Sequence, residues 1–471
     1  MARERDCMVR QRVRRAACLL IACSGMSGAQ VRAQNVAEAW QPPVLTSERY
    51  DEDWSRMADP AVRAQHWTGQ FKYIPLGEDA HLTTGAELRT RFEDTIAPVS
   101  GTGDDGYLWL RLLPYADLHV GRVRAFVEPV AAYAVGVRGG PGPTDATGID
   151  LLQGFADVAI PLGTDTTLTF RAGRQQLALG TERLVGTRYG PNVPLAYDGG
   201  RAILHSASWR TTAFWLRPVE SRSGNFDDRS SPTRMLWGVY ASHRGGRNFE
   251  FYYLGFRNRN ARYSRGTGVE MRHTVGTRAF GTQGPWSWNA EAMGQFGSFA
   301  DVAIRTWSVS LEGRHGWAKV PFAPAVTLRT SLISGDNAHG HGTLGAFNAM
   351  FPKGKYFGEL SPVGPRNLIN IHAILTLAPA PRLTASLAAL AYWRMRGTDG
   401  VYDVPGNLIG LPADGRGRFI GGQIESALSF RATQELTLSA AASVMRPGAT
   451  LHALGRTHDI GLIGLEANFR F

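Results

Sequence analysis

Charged side chains recur at alternate positions of otherwise apolar stretches. Glu87, Arg89, Arg91 and Glu93 form one such run, and Arg111 with Asp117, Arg124 with Glu128, and then Asp157 and Arg171 follow at comparable places. The planar guanidinium of arginine grips a carboxylate through two parallel hydrogen bonds and keeps its charge at every working pH. A ring of such groups concentrates a polyanion and excludes cations. Interleaved acids such as Glu87, Glu128 and Asp157 would weaken that grip, as a conduit needs if successive units are to leave. The plainer reading is that these charges pair with one another and stiffen a wall. A second set, Arg174, Arg183, Arg188, Asp198, Arg201 and Lys355, lies in or at the edges of long stretches that break the pattern and read as loops, where solvated charge is the ordinary explanation; Arg394 closes an apolar run.

The elements that would position these groups have a period of two. In 82–93 the even positions are mostly apolar and the odd ones from Glu87 onward are charged, so one face meets an apolar medium and the other a polar one. If Leu82, Ala86, Leu88 and Phe92 meet lipid, the charges turn inward; an arginine facing lipid at mid-membrane would cost roughly 2–4 kcal/mol. The alternation returns in 107–118, 122–130, 150–160, 166–174, 200–219, 234–257, 267–278, 286–316, 325–333, 367–394, 419–445 and 459–471, which split at their turns into about 18 strands. Short gaps (119–121, 161–165, 210, 244–247, 379–382, 431–434) take turns with long ones (131–149, 175–199, 220–233, 334–366, 395–418, 446–458). This is the plan of an all-β chain closed as a transmembrane antiparallel barrel, with short periplasmic turns and long extracellular loops. The last strand ends on Phe471, with Phe469, Ala467, Leu465 and Ile463 on the same face. A secreted sandwich or propeller would also alternate, but it requires neither the loop asymmetry nor the aromatic end.

Composition agrees. Only 19% of the 471 residues are charged, against about 25% in ordinary soluble proteins, and glycine is abundant at 55 residues. Beyond residue 30 no apolar run approaches the ~20 residues of a spanning helix. Six arginines between Arg3 and Arg15, a short apolar run 16–22 and the small residues of Val31-Arg32-Ala33 make a secretory signal over 1–33. Leu20-Ile21-Ala22-Cys23 is a rival lipoprotein cleavage box. Residues 34–80 then form a periplasmic segment leading into a barrel over 81–471. All three cysteines lie at 7, 18 and 23, so cleavage after Ala33 leaves no thiol for disulfides or metal. The signal carries seven arginines and two acids, which takes the net charge from +11 to +6 in the mature chain.

Several stretches resemble the alginate export family of outer-membrane barrels. They are Arg49-Tyr50-Asp51-Glu52-Asp53-Trp54, Phe71-Lys72-Tyr73-Ile74-Pro75-Leu76, Gly85-Ala86-Glu87-Leu88-Arg89, and Gly173-Arg174-Gln175-Gln176-Leu177 with Arg183-Leu184-Val185, Gly190-Pro191-Asn192-Val193 and Tyr197-Asp198-Gly199. Further on come the segment from Phe347 to Glu359, then Tyr392-Trp393-Arg394, Asp399-Gly400-Val401-Tyr402 and Pro405-Gly406-Asn407-Leu408. The resemblance runs from about residue 49 to the C-terminus. It implies an 18-stranded barrel that passively exports an anionic polysaccharide, with pore residues in the long loops. Gln176 and Ala349-Met350 depart from the pattern and leave the polymer open. The partners implied are an anionic polysaccharide, outer-membrane lipid and periplasmic export components.

Other chemistries find little support. Gly101–Gly106 and Gly340–Gly345 match Gly-x-Gly-x-x-Gly, yet neither opens a helix after a strand, as a dinucleotide site requires. His339 and His341, and the acids at 51–53 and 104–105, are weak candidates for metal. No cofactor is expected. Trp109, Tyr115, Trp215, Trp237 and Trp393 read as interfacial girdles or lumen filling, less simply as a sugar track. A signal peptide and a barrel pattern argue against nucleic acid. A barrel hydrolase needs a serine beside a histidine, and no Gly-x-Ser-x-Gly elbow accompanies His205, His243, His273 or His372. The expectation is a channel rather than an enzyme: an exporter of anionic exopolysaccharide, or else a porin for small anions or sugars.

Overall fold

The computed structural model describes residues 43, 45–246, 248–263, 265–337, 342–412 and 417–471. Eighteen antiparallel strands form the wall: β1 (Ala80–Ile96), β2 (Asp105–Val120), β3 (Val123–Val135), β4 (Gly148–Pro161), β5 (Thr167–Gln175), β6 (Tyr197–His205), β7 (Trp209–Glu220), β8 (Arg234–His243), β9 (Asn248–Tyr263), β10 (Gly266–Gln283), β11 (Trp286–Phe299), β12 (Val302–Gly316), β13 (Ala325–Ile333), β14 (Leu368–Ala380), β15 (Leu383–Arg394), β16 (Phe419–Arg431), β17 (Leu436–Pro447) and β18 (Ile460–Arg470). Each pairs with its neighbours in sequence. The sheet closes where β18 lies against β1, from Arg470 opposite Glu87 to Gly461 opposite Ile96. Closure leaves no edge with unsatisfied backbone groups, a necessity in hydrocarbon. Among the described residues no helix is long and apolar enough to cross a membrane.

Alternation sorts the two faces as a bilayer demands. Leu88, Phe92, Leu112, Val127, Val158, Phe170, Val239, Phe251 and Leu328 are exposed outward, while Glu87, Arg89, Arg111, Glu128, Asp157 and Arg171 are buried on the inner side. Trp215 and Trp237 stack outside, with ring centroids 5.4 Å apart; Trp109 and Tyr115 are buried. The sequence signals of 1–33, and His339 and His341, lie outside the described residues.

The connections depart from a simple short–long alternation. At the end bearing the long loops, β9–β10 and β11–β12 are joined by only 264–265 and 300–301, whereas the opposite end has an eight-residue turn, 317–324. The long strands β9 to β12 therefore stand as a tall wall. The turn expected at 210 falls at 206–208. A larger correction concerns 175 and 197–199, expected as loop. They are strand residues of β5 and β6, so Arg174, Asp198 and Arg201 all sit within the paired wall rather than in or beside a loop, and Arg174 pairs directly with Asp198. Glycines hid these strand ends from the periodic pattern. Gly173, at φ +132°, lies so close to β4 that a Cβ there would sit 2.3 Å from the Gly154 carbonyl.

Inserted segments occupy much of the lumen among the described residues. Loop 176–196 and residues 342–367 of loop 334–367 both fold inward and meet, with Phe351 N donating to Leu184 O (2.9 Å), Gly186 N to Phe351 O (2.9 Å) and Lys353 N to Glu182 O (3.0 Å). Leu177, Leu184, Val185, Phe347, Phe351 and Phe357 pack there with inward residues of the wall such as Leu216, Leu254 and Tyr392. A third segment, Arg49–Phe71, seats in the periplasmic mouth, where Tyr50 sits edge-on to Phe126 and Phe155 at 5.8 and 5.2 Å.

Candidate functional site: the loop-filled lumen

Most of the expected pore arginines hold these inserted segments. Arg89 and Arg111 face each other across β1 and β2. Arg89 donates to the carbonyls of Tyr189 (3.0 Å), Gly190 (3.1 Å) and Pro191 (2.7 Å). Arg111 donates to Pro191 O (3.0 Å) and grips Glu87 through Nε and Nη2 at 2.9 and 2.6 Å, and Glu87 also accepts from the Tyr189 hydroxyl. The turn around Gly190-Pro191-Asn192 thus offers its carbonyls to two buried cations. Asn192 completes the anchor by donating to the carbonyls of Leu110, Tyr133 and Asp145.

The strap at 49–71 is held likewise. Arg124 chelates Asp117 (2.7 and 2.5 Å) and donates to Tyr50 O at 2.6 Å. Arg171 chelates Asp157 (2.7 Å, both bonds) with its guanidinium 4.1 Å from the Tyr50 ring centroid. Arg201 reaches Gln176 O at 3.3 Å, and Glu128 accepts from Gln153 at 2.6 Å. Arg174 pairs with Asp198 at 2.8 Å. Arg394 donates to the carbonyls of Gly397, Asp399 and Gly417 at 2.7–2.8 Å, fixing loop 395–418. Arg89, Arg111, Arg171, Arg201 and Arg394 are buried, with protein groups where a solute carboxylate would have to sit. They build the plug rather than an open anion ring.

Three groups of the expected set line open space inside the barrel, Arg91, Arg188 and Lys355, while Arg183 is enclosed. Arg183 lies 3.2 Å from the Glu291 carboxylate. Burial opposes its charge, but Tyr356 and Glu291 outweigh that and keep its pKa above the usual guanidinium value. Arg188, at φ +50°, makes no hydrogen bond or ion pair among the described residues. Burial, with Arg234 nearby and Tyr197 acting the other way, lowers its pKa.

Three adjoining cavities run through this region. The outermost, about 590 Å³, is lined by Arg188, Arg234, Arg262 and Arg366, with asparagines 258, 260, 348 and 407 and the rings of Phe256, Tyr263, Phe351 and Tyr402. Its one acid, Glu270, is held by Arg272 at 2.5 Å. Arg366 lies between Tyr263 and Tyr402, 4.8 and 4.9 Å from their centroids. A second cavity, about 520 Å³, shares Arg188, Pro405 and Leu408 with the first and reaches Glu93, Lys355 and Glu359. A third, about 230 Å³, lies beyond Glu359 between Arg91, Glu466 and the hydroxyls of Thr384, Ser386, Ser429 and Ser439. Where they meet, Arg91 bonds Glu93 (2.6 Å), Glu359 (2.8 Å) and Glu466 (2.9 Å), and Lys355 bonds Glu359 (2.6 Å) and Glu93 (3.0 Å).

A model of the alginate export family matches residues 80–459, most of the chain. The chain belongs to the alginate export family. No curated protein matches it. Solved barrels share the fold at low identity. Acinetobacter baumannii OccAB1 superposes with a TM-score of 0.55 at 13% identity, covering 85% of this chain and 99% of that one. A BenF-like porin from Pseudomonas fluorescens Pf-5 gives 0.55 at 12%, covering 84% and 100%. Pseudomonas aeruginosa OccK2 in complex with glucuronate gives 0.54 at 12%, covering 83% and 98%. This alginate export family member is thus a channel-type barrel of the Gram-negative outer membrane.

Arg234, Arg262, Arg366, Glu359 and Glu466 lay outside the sequence-derived candidates. Glu359 ends the segment Phe347–Glu359 that resembles the family, so position alone could have flagged it. Arg262 lies in the irregular stretch that closes β9, where parity gives no face, and the vestibule forms only when three loops converge.

Proposed function

We propose that this barrel exports an anionic exopolysaccharide, an alginate-like polyuronate, along the three adjoining cavities, after cleavage of residues 1–33 delivers it to the outer membrane. The observation that carries this reading is the vestibule: four arginines, with the only acid already neutralised by Arg272. Such a surface concentrates carboxylates, and aromatic faces and asparagine amides beside the guanidiniums suit sugar rings. The expected anion-binding role therefore moves from the wall ladder to Arg188 and its neighbours, with Lys355 and Arg91 deeper in. The purified, refolded barrel in a planar bilayer under a salt gradient should be anion-selective and blocked by added polyuronate. Arg188→Gln with Arg262→Gln should weaken block by about tenfold; cation selectivity with indifference to polyuronate would sink the export reading.

A second reading, a porin for small acids, is favoured by cavity size. Separate spaces of 230, 520 and 590 Å³ fall in or below the range of small-molecule sites, and OccK2, a barrel of this fold, has been solved in complex with glucuronate. Flux of monomeric uronate into liposomes, unaffected by the polymer, would favour it.

A further inference from the structure

One carboxylate divides the inner two cavities. Glu359 is in the lining of both, while Lys355 lines only the outer of the two and Arg91 only the inner. Its Oε2 accepts from Arg91 Nη2 at 2.8 Å and from Lys355 Nζ at 2.6 Å. A substrate carboxylate would be held between a guanidinium and an ammonium in the same way. The other acids at this junction belong to the wall: Glu93 is on β1 and Glu466 on β18. Glu359 instead comes from an inserted loop, and its side chain is 31% exposed, against 5% for Glu93 and 19% for Glu466. Of the three acids, this one has the most access to water, which screens its pairing more than that of its neighbours.

The surrounding loop is a tight turn. Lys355, Gly358 and Ser361 have φ of +54°, +117° and +38°, conformations that non-glycine residues adopt only at a cost. The Glu359 amide donates to Glu425 Oε2 at 2.8 Å, the contact that tethers the turn to β16.

We infer that Arg91 and Lys355 form a carboxylate subsite of the permeation path, and that Glu359 is its resident occupant, exchanged for a substrate carboxylate when the path opens. This rests on the reading that acidic sugars use the channel. Exchange of one carboxylate for another keeps two cations facing three acids at the subsite, and the displaced Glu359, the most exposed of the resident acids, is left to the water of the adjoining cavities. Neutral sugars cannot make that exchange, and the septum stays shut against them.

The test compares the full-length refolded barrel with its Glu359→Gln variant in planar bilayers at pH 7, with D-glucuronate and D-glucose as probes. Glu312→Gln, on the Arg329 pair of β12 and β13, controls for loss of a lumen acid elsewhere. Glu359→Gln should raise chloride conductance at least twofold and lower the half-blocking glucuronate concentration about tenfold, with glucose unchanged. Lys355→Gln should raise that concentration. Wild-type conductance and block in Glu359→Gln would overturn the proposal, as would an equal gain for glucose, which would make Glu359 a steric plug. If polyuronate fails to block the wild type while the glucuronate gain appears, the polymer reading falls and the subsite stands.

Discussion

Arg111 shows how a residue type suited to binding a solute can be used up by the protein itself. Its guanidinium satisfies Glu87 and the carbonyl of Pro191 at once, so β1, β2 and loop 176–196 share one buried charge. Removing it leaves Glu87 buried without its main partner, a loss of roughly 3–5 kcal/mol. Arg111→Met should therefore lower stability to denaturant by about that much, and free the turn at 189–192 to give a larger, noisier conductance; an unchanged conductance would show that the loop has other sufficient anchors. Adding Glu87→Gln should recover part of the stability, because the stranded charge goes with it. Arg188 differs in kind. It has no such partner and faces two cavities, so its replacement should alter ion selectivity with little effect on stability.

Among the elements, the strap at 49–71 is the one most open to regulation. It reaches from the C-terminal residue, where Arg49 Nη2 donates to Phe471 O at 2.7 Å, to the base of the inserted loop, where Tyr50 Oη donates to Gln176 O at 3.0 Å. At its end Lys72 is sunk beside Tyr115, donating to its hydroxyl at 2.7 Å and to Thr84 O at 2.5 Å. Burial, followed by the nearby Arg49, lowers the Lys72 pKa from 10.5 to about 7. The sign follows from which state holds the proton. A released strap binds it below 10.5 and the docked strap only below about 7, so docking is strongest above that window and weakens as pH falls through it. Openings of the plug should become more frequent between pH 10 and 7 and level off below 7. Lys72→Met should abolish this dependence; if single-channel records of that variant keep it, another group is responsible.

At the scale of the whole molecule, closure of the sheet and filling of the lumen meet at one residue. Phe471 N donates to Ala86 O at 3.1 Å, and its ring lies 5.4 Å from those of Phe71 and Trp67. Deleting Phe471 should reduce the heat-modifiable, assembled fraction in outer membranes several-fold, and the molecules that do assemble should show a loosened strap as higher conductance. Full assembly with normal conductance would count against both roles. What the sequence determined was the wall. Alternation in β1 to β4 sent Leu88, Phe92 and Val127 outward and Arg89, Arg111 and Arg124 inward, because a lipid face and a lumen face leave no other arrangement of a two-residue period. Strand number and closure followed from the same repeat. What it could not determine was who partners the inward charges. Period two fixes a side chain's face but says nothing of what occupies the space in front of it. Loops 176–196 and 334–367 carry no repeat, and the place of residues 176–196 and 342–367 in the lumen is set by contacts between residues far apart in the chain, such as Arg89 with Pro191 and Arg91 with Glu359. Only tertiary structure could turn an apparent ring of arginines into the scaffold of a plug, and leave Arg188 and Lys355 lining the cavities between the inserted loops.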